Sequence, residues 1–238
     1  MPPAHRPPGS DGPVLLTTGA SSGIGAATAR RAVAAGFRVV IAARSAEPLQ
    51  ALADELGGPQ HCLPVVCDVI EWEDQQQMVA RALDHFGRID VAFANAGHGS
   101  KRGFLEDSAE RWRSMVLTNV YGAALTIRAT LEALTATRGH VLLTGSVAGR
   151  QVVPGSLYSC TKFAVTAMGE ALRQEVRGTG VRVTVVSPGY TDTPFFTREL
   201  EASALTSDDV ARAVLFAVQQ PPSVAVTELV IRSADEAL

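Results

Sequence analysis

The chain has 238 residues, enough for one large domain and too few for two independent catalytic ones. Hydrophobic residues make up 46% and charged residues 19%, a globular balance that excludes disorder over most of the length. Lys and Arg number 21 against 24 Asp and Glu, a net charge of -3 with no basic run longer than two residues, so a nucleic-acid backbone is not the expected partner.

Residues 1–12 are expected to form a disordered arm: Met1 to Pro13 holds five prolines and lacks the apolar core of a signal peptide. Residues 13–238 then read as one domain. Val14-Leu15-Leu16 predicts a strand, and Gly23 to Ala35 an Ala-rich helix stopped by Gly36. Phe37 to Ala43 reads as a second strand, Ala46 to Leu56 as a helix ended by Gly57-Gly58, and Leu63 to Cys67 as a third strand. A helix over Glu71 to Phe86 stops at Gly87, and strand Ile89 to Ala94 runs into Asn95-Ala96-Gly97. One long helix is expected from about Ser108 to Ala136, then strand His140 to Thr144 and a helix from Ser156 to Arg177. Strand Val181 to Val186 closes on Pro188-Gly189; a helix from Ser207 to Gln219 and a strand from Ala225 to Ile231 complete the order.

Strands that are continuously Val, Ile, Leu and Ala, rather than alternating, are buried on both faces. The expected fold is therefore α/β: a Rossmann-type, doubly wound parallel sheet of about seven strands with helices on both sides. Such sheets bind ligands beyond the carboxyl ends of their strands, so the residues just after each strand carry the functional information. No stretch approaches 18 apolar residues, which argues against a membrane span. Cys62, Cys67 and Cys160 are odd in number and lack metal-ligand spacing, so no metal is expected and a reducing cytoplasm is the simplest location.

After the first strand stands Thr18-Gly19-Ala20-Ser21-Ser22-Gly23-Ile24-Gly25. Gly19 permits the tight turn, Gly23 a close approach to a pyrophosphate, and Gly25 close packing of helix on sheet. The backbone from Ser21 to Ile24 would meet the phosphates at the positive end of the following helix. An ordinary glycine-rich turn is the competing reading. The second strand ends Ala42-Ala43-Arg44-Ser45, with no carboxylate to bind a ribose 2′-hydroxyl. Arg44 instead suits a 2′-phosphate, which favours NADP(H) over a weaker NAD(H). Asp68-Val69 is placed to receive the adenine amino group, and Asn95, Ala96 and Gly97 to line the cofactor or brace the sheet.

Ser146 follows the fifth strand, and Tyr158 and Lys162 lie four apart on a predicted helix, one turn from each other on one face. A phenol of pKa about 10 exchanges protons poorly near neutrality unless positive charge favours the phenolate. Lys162, with the positive nicotinamide of an oxidised cofactor, would provide such charge, making Tyr158 the general acid/base, with Ser146 holding the substrate oxygen.

Taken together, these segments resemble the short-chain dehydrogenase/reductase family from Pro13 onward. The resemblance rests on Thr18–Gly25, Asn95-Ala96-Gly97, Asn119, Ser146, Tyr158, Lys162 and Pro188-Gly189-Tyr190-Thr191-Asp192-Thr193. It implies that Lys162 also bonds the nicotinamide ribose and that Asn119 serves a proton relay to Lys162. It also implies that Pro188, Gly189, Thr191 and Thr193 meet the nicotinamide end, and that Arg44 occupies the position marking NADP-preferring members. Two departures stand out: Ala94 replaces a frequent Asn, and Ser146 precedes Tyr158 by 12 residues where 13 is common. The resemblance further implies a homo-oligomer, tetramer or dimer, built through the helices near 108–136 and 156–177.

The expected activity is an NADP(H)-dependent interconversion of a carbonyl and an alcohol. The alternatives are a lyase-like member of the same scaffold and a regulator that binds the cofactor without turnover. A short substrate lid is expected over about 190–206. Phe195, Phe196 and Leu200 there suggest a partly apolar small-molecule substrate; Arg198 could pair with a carboxylate, but an ordinary surface arginine is the favoured reading. His98, Val152, Val153 and Tyr190 complete the candidate pocket.

Overall fold

A computed structural model of the chain describes residues 12–195 and 204–235. The expected proline-rich arm, but for Gly12, lies outside them, as does the stretch 196–203 of the expected lid.

Seven parallel strands form one sheet: β1 (Val14–Thr18), β2 (Arg38–Ala43), β3 (Cys62–Val66), β4 (Val91–Ala94), β5 (His140–Thr144), β6 (Arg182–Pro188) and β9 (Glu228–Ile231). Two short strands, β7 (Thr191–Asp192) and β8 (Leu205–Thr206), pair separately. The sheet order is β3-β2-β1-β4-β5-β6-β9. The order therefore reverses direction between β1 and β4, and the crevice above that pair is where a doubly wound sheet receives a ligand.

Successive strand residues face opposite layers. Leu15, Val39, Ile41 and Leu142 pack under α1 (Gly23–Ala34), α2 (Ala46–Glu55) and α7 (Ser207–Val218). Their neighbours Leu16, Val40, Leu143 and Val185 pack under α3 (Trp72–Phe86), α5 (Ala123–Thr137) and α6 (Leu157–Glu175). Both faces are thus apolar, as the continuous runs required.

The expected long helix after β4 is instead α4 (Ala109–Val116), a π-helical turn over Leu117–Gly122, and α5. Such a turn inserts an extra residue into the helical ladder and re-aims the side chains around it. Asn119 lies in its middle. The apolar periodicity continues through the segment, so the sequence gives no cue to the insertion.

Candidate active site

A cleft of about 630 Å³ opens along the carboxyl ends of the strands, crossing the β1–β4 switch point. One end is the glycine turn. Gly19 has φ +66°, and a Cβ there would stand 2.8 Å from the Ala96 Cα. Gly25 packs beneath the cleft rather than in its wall: a Cβ would sit 2.5 Å from the Gly19 carbonyl oxygen. Gly23, at φ +54°, faces Thr193 across the cleft. Ser21, Ser22, Gly23 and Ile24 form the wall at the start of α1. The Ser22 side chain makes no capping hydrogen bond and the first turn holds no acidic residue. Its free N–H groups and positive helix end therefore face a cradle that side chains would fill, a fit for a pyrophosphate.

Arg44 stands at the end of β2, exposed on the cleft wall. Asp68 and Val69 line the same end after β3; one Asp68 oxygen accepts the Ile70 N–H at 3.3 Å. Asn95 mainly braces the sheet. Its amide nitrogen donates to the Thr18 carbonyl at 3.0 Å, and its oxygen accepts from the Thr144 hydroxyl at 3.0 Å, tying β1, β4 and β5 together. The Thr18 hydroxyl accepts the backbone N–H groups of Asn95 and Ala96. Ala96 and Gly97 continue the wall.

At the other end the sheet delivers Ser146, Tyr158 and Lys162 to one place. Ser146 leaves β5 and opens a short 3-10 turn, accepting the Ala148 N–H at 3.1 Å. Tyr158 is the second residue of α6, whose N-terminus is capped by Ser156. Both residues line the cleft, and the Ser146 hydroxyl lies close enough to favour the Tyr158 phenolate, so the 12-residue spacing does not part them. Two contacts hold the shortened loop. Ser159, buried, donates to the Ala148 carbonyl, and Gly149 lies so close to α6 that a Cβ would stand 2.6 Å from the Lys162 carbonyl oxygen.

Lys162 is buried, with its ammonium 5.6 Å from the Tyr158 ring centre, donating to the Thr144 carbonyl at 2.7 Å. Burial pushes its pKa down to about 8. The expected lowering of the Tyr158 phenol by this lysine is not what the protein alone provides. Burial pushes the phenol up to about 12, and the nearby Ser146 hydroxyl only partly opposes it. A charge 5.6 Å from the ring, already engaged with a carbonyl, does not outweigh that desolvation.

Asn119 does not reach the cleft wall. Its oxygen accepts the His98 N–H at 3.0 Å, and its nitrogen donates to the His98 carbonyl at 3.0 Å and to the Thr161 hydroxyl at 3.2 Å. It thereby fixes the start of the loop after β4 against α6. Pro188, Gly189, Tyr190, Thr191 and Thr193 form the wall after β6. His98, Val153 and Phe195 join them, and the Phe195 ring meets Tyr158 edge-on at 5.4 Å. Val152 points away, 74% exposed, because the turn after the 3-10 segment directs its neighbour Val153 inward. Phe196, Arg198 and Leu200 lie outside the described residues.

Among the polar wall residues that sequence reasoning missed are Ser100, Arg102, Arg111 and Arg232. Arg232 follows β9 directly and was findable by the strand-end rule. The others sit on a long connection whose path no local pattern reveals.

A family model for short chain dehydrogenases matches residues 13–204. The chain is 34% identical over 248 aligned positions to dehydrogenase/reductase SDR family member 11 of Gallus gallus, covering 94% of this chain and 97% of that protein. It superposes with a TM-score of 0.88 on an alcohol dehydrogenase of Thermococcus sibiricus complexed with 5-hydroxy-NADP, at 31% identity and covering 95% and 98% of the two chains. The same score relates it to a 3-ketoacyl-(acyl-carrier-protein) reductase of Brucella melitensis complexed with NADH, at 27% identity over 94% and 98%.

Proposed function

The chain belongs to the short-chain dehydrogenase family and is an oxidoreductase of that family, and from that premise we propose that it interconverts a ketone or aldehyde and an alcohol using NADP(H). The observation that carries this reading is a phenol, beside a serine hydroxyl and backed by a buried lysine, at the far end of the cleft that begins in the glycine cradle.

The chain's own residues divide the work. Gly19, Gly23 and the first N–H groups of α1 hold the pyrophosphate, with Gly25 letting α1 lie close enough. Arg44 takes the 2′-phosphate, Asp68 and Val69 the adenine, and Ala96, Gly97, Pro188, Gly189, Thr191 and Thr193 the remaining length. Bound NADPH supplies a hydride to the carbonyl carbon. Ser146 donates a hydrogen bond to the carbonyl oxygen, and Tyr158 gives its proton to that oxygen as negative charge develops there. A phenol held near 12 keeps that proton at neutral pH, which is the state reduction needs. Lys162 lies behind the ring to stabilise the phenolate left afterwards. Asn119, one hydrogen bond from Thr161, is assigned the relay that returns the proton.

A homo-oligomer in the cytoplasm is part of the same proposal. Buried Cys62 and Cys67, with thiols pushed up to about 12, suit a reducing compartment. Val116, Tyr121 and Phe163 are exposed on the helices the resemblance gives to subunit contacts.

The test is loss of NADPH absorbance over a panel of ketones, keto acids and quinones, with the wild type and Tyr158→Phe compared. Wild-type turnover is expected, and removing the phenol should lower it by roughly 10²–10⁴-fold while NADPH still binds. Near wild-type rates in the variant overturn the role of Tyr158.

A further inference from the structure

The charges in the cleft wall are strongly one-sided. Among the described residues Arg44, Arg102, Arg111, Lys162 and Arg232 line it, against a single carboxylate, Asp68. Arg44 and Asp68 lie at the nucleotide end, and Lys162 backs Tyr158. That leaves three guanidinium groups along the rest of the wall, with no facing acid among the described residues. Their placement is fixed by the fold. Arg102 lies on the loop after β4 and donates to the Tyr190 hydroxyl at 2.9 Å, linking that loop to the segment after β6. The loop is tied on its other side by the Gly103 N–H donating to the Gly155 carbonyl at 2.8 Å. Arg111, in the first turn of α4, donates from two nitrogens to the Gly99 carbonyl at 3.3 and 3.2 Å. Gly99 itself packs on Phe195, the ring that covers Tyr158. Arg232 is half-buried just beyond β9, beside Gly189, whose N–H donates to the Ile231 carbonyl at 2.8 Å.

None of the three arginines forms an ion pair among the described residues. Asp107 lies near enough to Arg111 to feel its charge, but its oxygens accept the backbone N–H groups of Lys101 and Ser108, and it stands outside the wall. On the same wall the Ser100 hydroxyl is buried without a hydrogen-bond partner among the described residues. A guanidinium uses at most two of its five N–H groups in each neutral contact seen here, so bidentate donors remain for an anion.

We propose that the substrate carries a carboxylate, held by Arg102 with Arg111 and Arg232, while its carbonyl or hydroxyl carbon lies at Tyr158. This deepens the oxidoreductase reading and rests on it: the substrate class is keto acids and the corresponding hydroxy acids, with Phe195 and Val153 enclosing the apolar part between the two polar ends.

The experiment compares keto acids with their own methyl esters (acetoacetate and methyl acetoacetate, levulinate and methyl levulinate) in the wild type and in Arg102→Met, Arg232→Met and Arg102→Lys. Binding to the NADPH-loaded enzyme is followed by nicotinamide fluorescence alongside kcat/KM. The acid is expected to be preferred over its ester by roughly ten-fold or more in both measurements, the scale of one charge-assisted contact. Either Met variant should move that ratio toward one, and Arg102→Lys should restore part of it. Esters used as well as or better than their acids, or a ratio untouched in both Met variants, overturn the carboxylate site while leaving the oxidoreductase reading standing. Binding of acids without turnover of any acid or ester would support the carboxylate site and count against the hydride-transfer reading. Neither bound nor turned-over acids overturn the site.

Discussion

At Tyr158 and Lys162 the protein shows how far burial dominates local charge. A lysine one helical turn from a tyrosine suggests a lowered phenol pKa, yet both groups sit where solvent is largely displaced, and desolvation moves each toward its neutral form. The phenol therefore holds its proton at neutral pH, the state that the proposed reduction needs. Lowering the phenol for alcohol oxidation would need the additional positive charge of an oxidised nicotinamide, which makes cofactor binding and acid–base state interdependent. Arg44 is the residue whose role is most directly tested by exchange. Arg44→Asp removes the guanidinium and adds a charge that repels a 2′-phosphate, so NADPH affinity should fall by roughly 10–100-fold while NADH changes little. Calorimetry with both cofactors checks this, and equal losses for the two would remove the phosphate assignment.

Among the elements, the site depends on fastenings between segments that carry no chemistry of their own. Asn95 joins β1, β4 and β5 at the switch point, and Ser159 joins the turn after Ser146 to the helix bearing Tyr158. Asn95→Ala leaves the Thr18 carbonyl and the Thr144 hydroxyl without these partners in a poorly hydrated crevice. It should destabilise the fold by about 1–3 kcal/mol in urea unfolding. A change below a few tenths of that would mean that water replaces the brace. The π-helical turn at Leu117–Gly122 is another such device, since it sets the Asn119 amide against both His98 and Thr161.

On the scale of the whole molecule, acid stability is expected to depend on one residue of the sheet. His140 is buried at the start of β5. Thr184 gives its hydroxyl proton to the Val226 carbonyl at 2.5 Å and so accepts from His140 Nε2 at 2.7 Å, leaving Nδ1 bare and unpartnered. Burial, with Arg182 nearby, pushes its pKa down to about 3. Between that value and the ordinary one near 6.5 the unfolded chain binds the proton and the folded chain does not. This contribution to stability is complete above about pH 6.5 and is lost as pH falls toward 3. Urea midpoints measured from about pH 7 down to about pH 4 should decline less steeply in His140→Gln than in the wild type. Identical slopes would assign the acid limb to other groups. The assembled state is a separate expectation: light scattering at micromolar concentration should give a multiple of the monomer mass, and a monomeric value would refute the oligomer.

The sequence by itself determined the sheet, its helices and most of the site. The apolar runs are continuous because both faces are covered, and Gly19, Gly23, Arg44, Asp68, Tyr158 and Pro188 each stand at or within two residues of a strand's end or a helix's start, where their meaning can be read locally. What the tertiary structure alone decided depends on distance through space rather than along the chain. The balance of desolvation at Tyr158 and Lys162, the turning of Val152 away and Val153 inward, and the π-helical insertion around Asn119 all follow from packing against remote segments. So does the presence of Arg102, Arg111 and Arg232 in one cleft wall: they come from separate parts of the chain, and nothing in their spacing announces that the fold would bring them there.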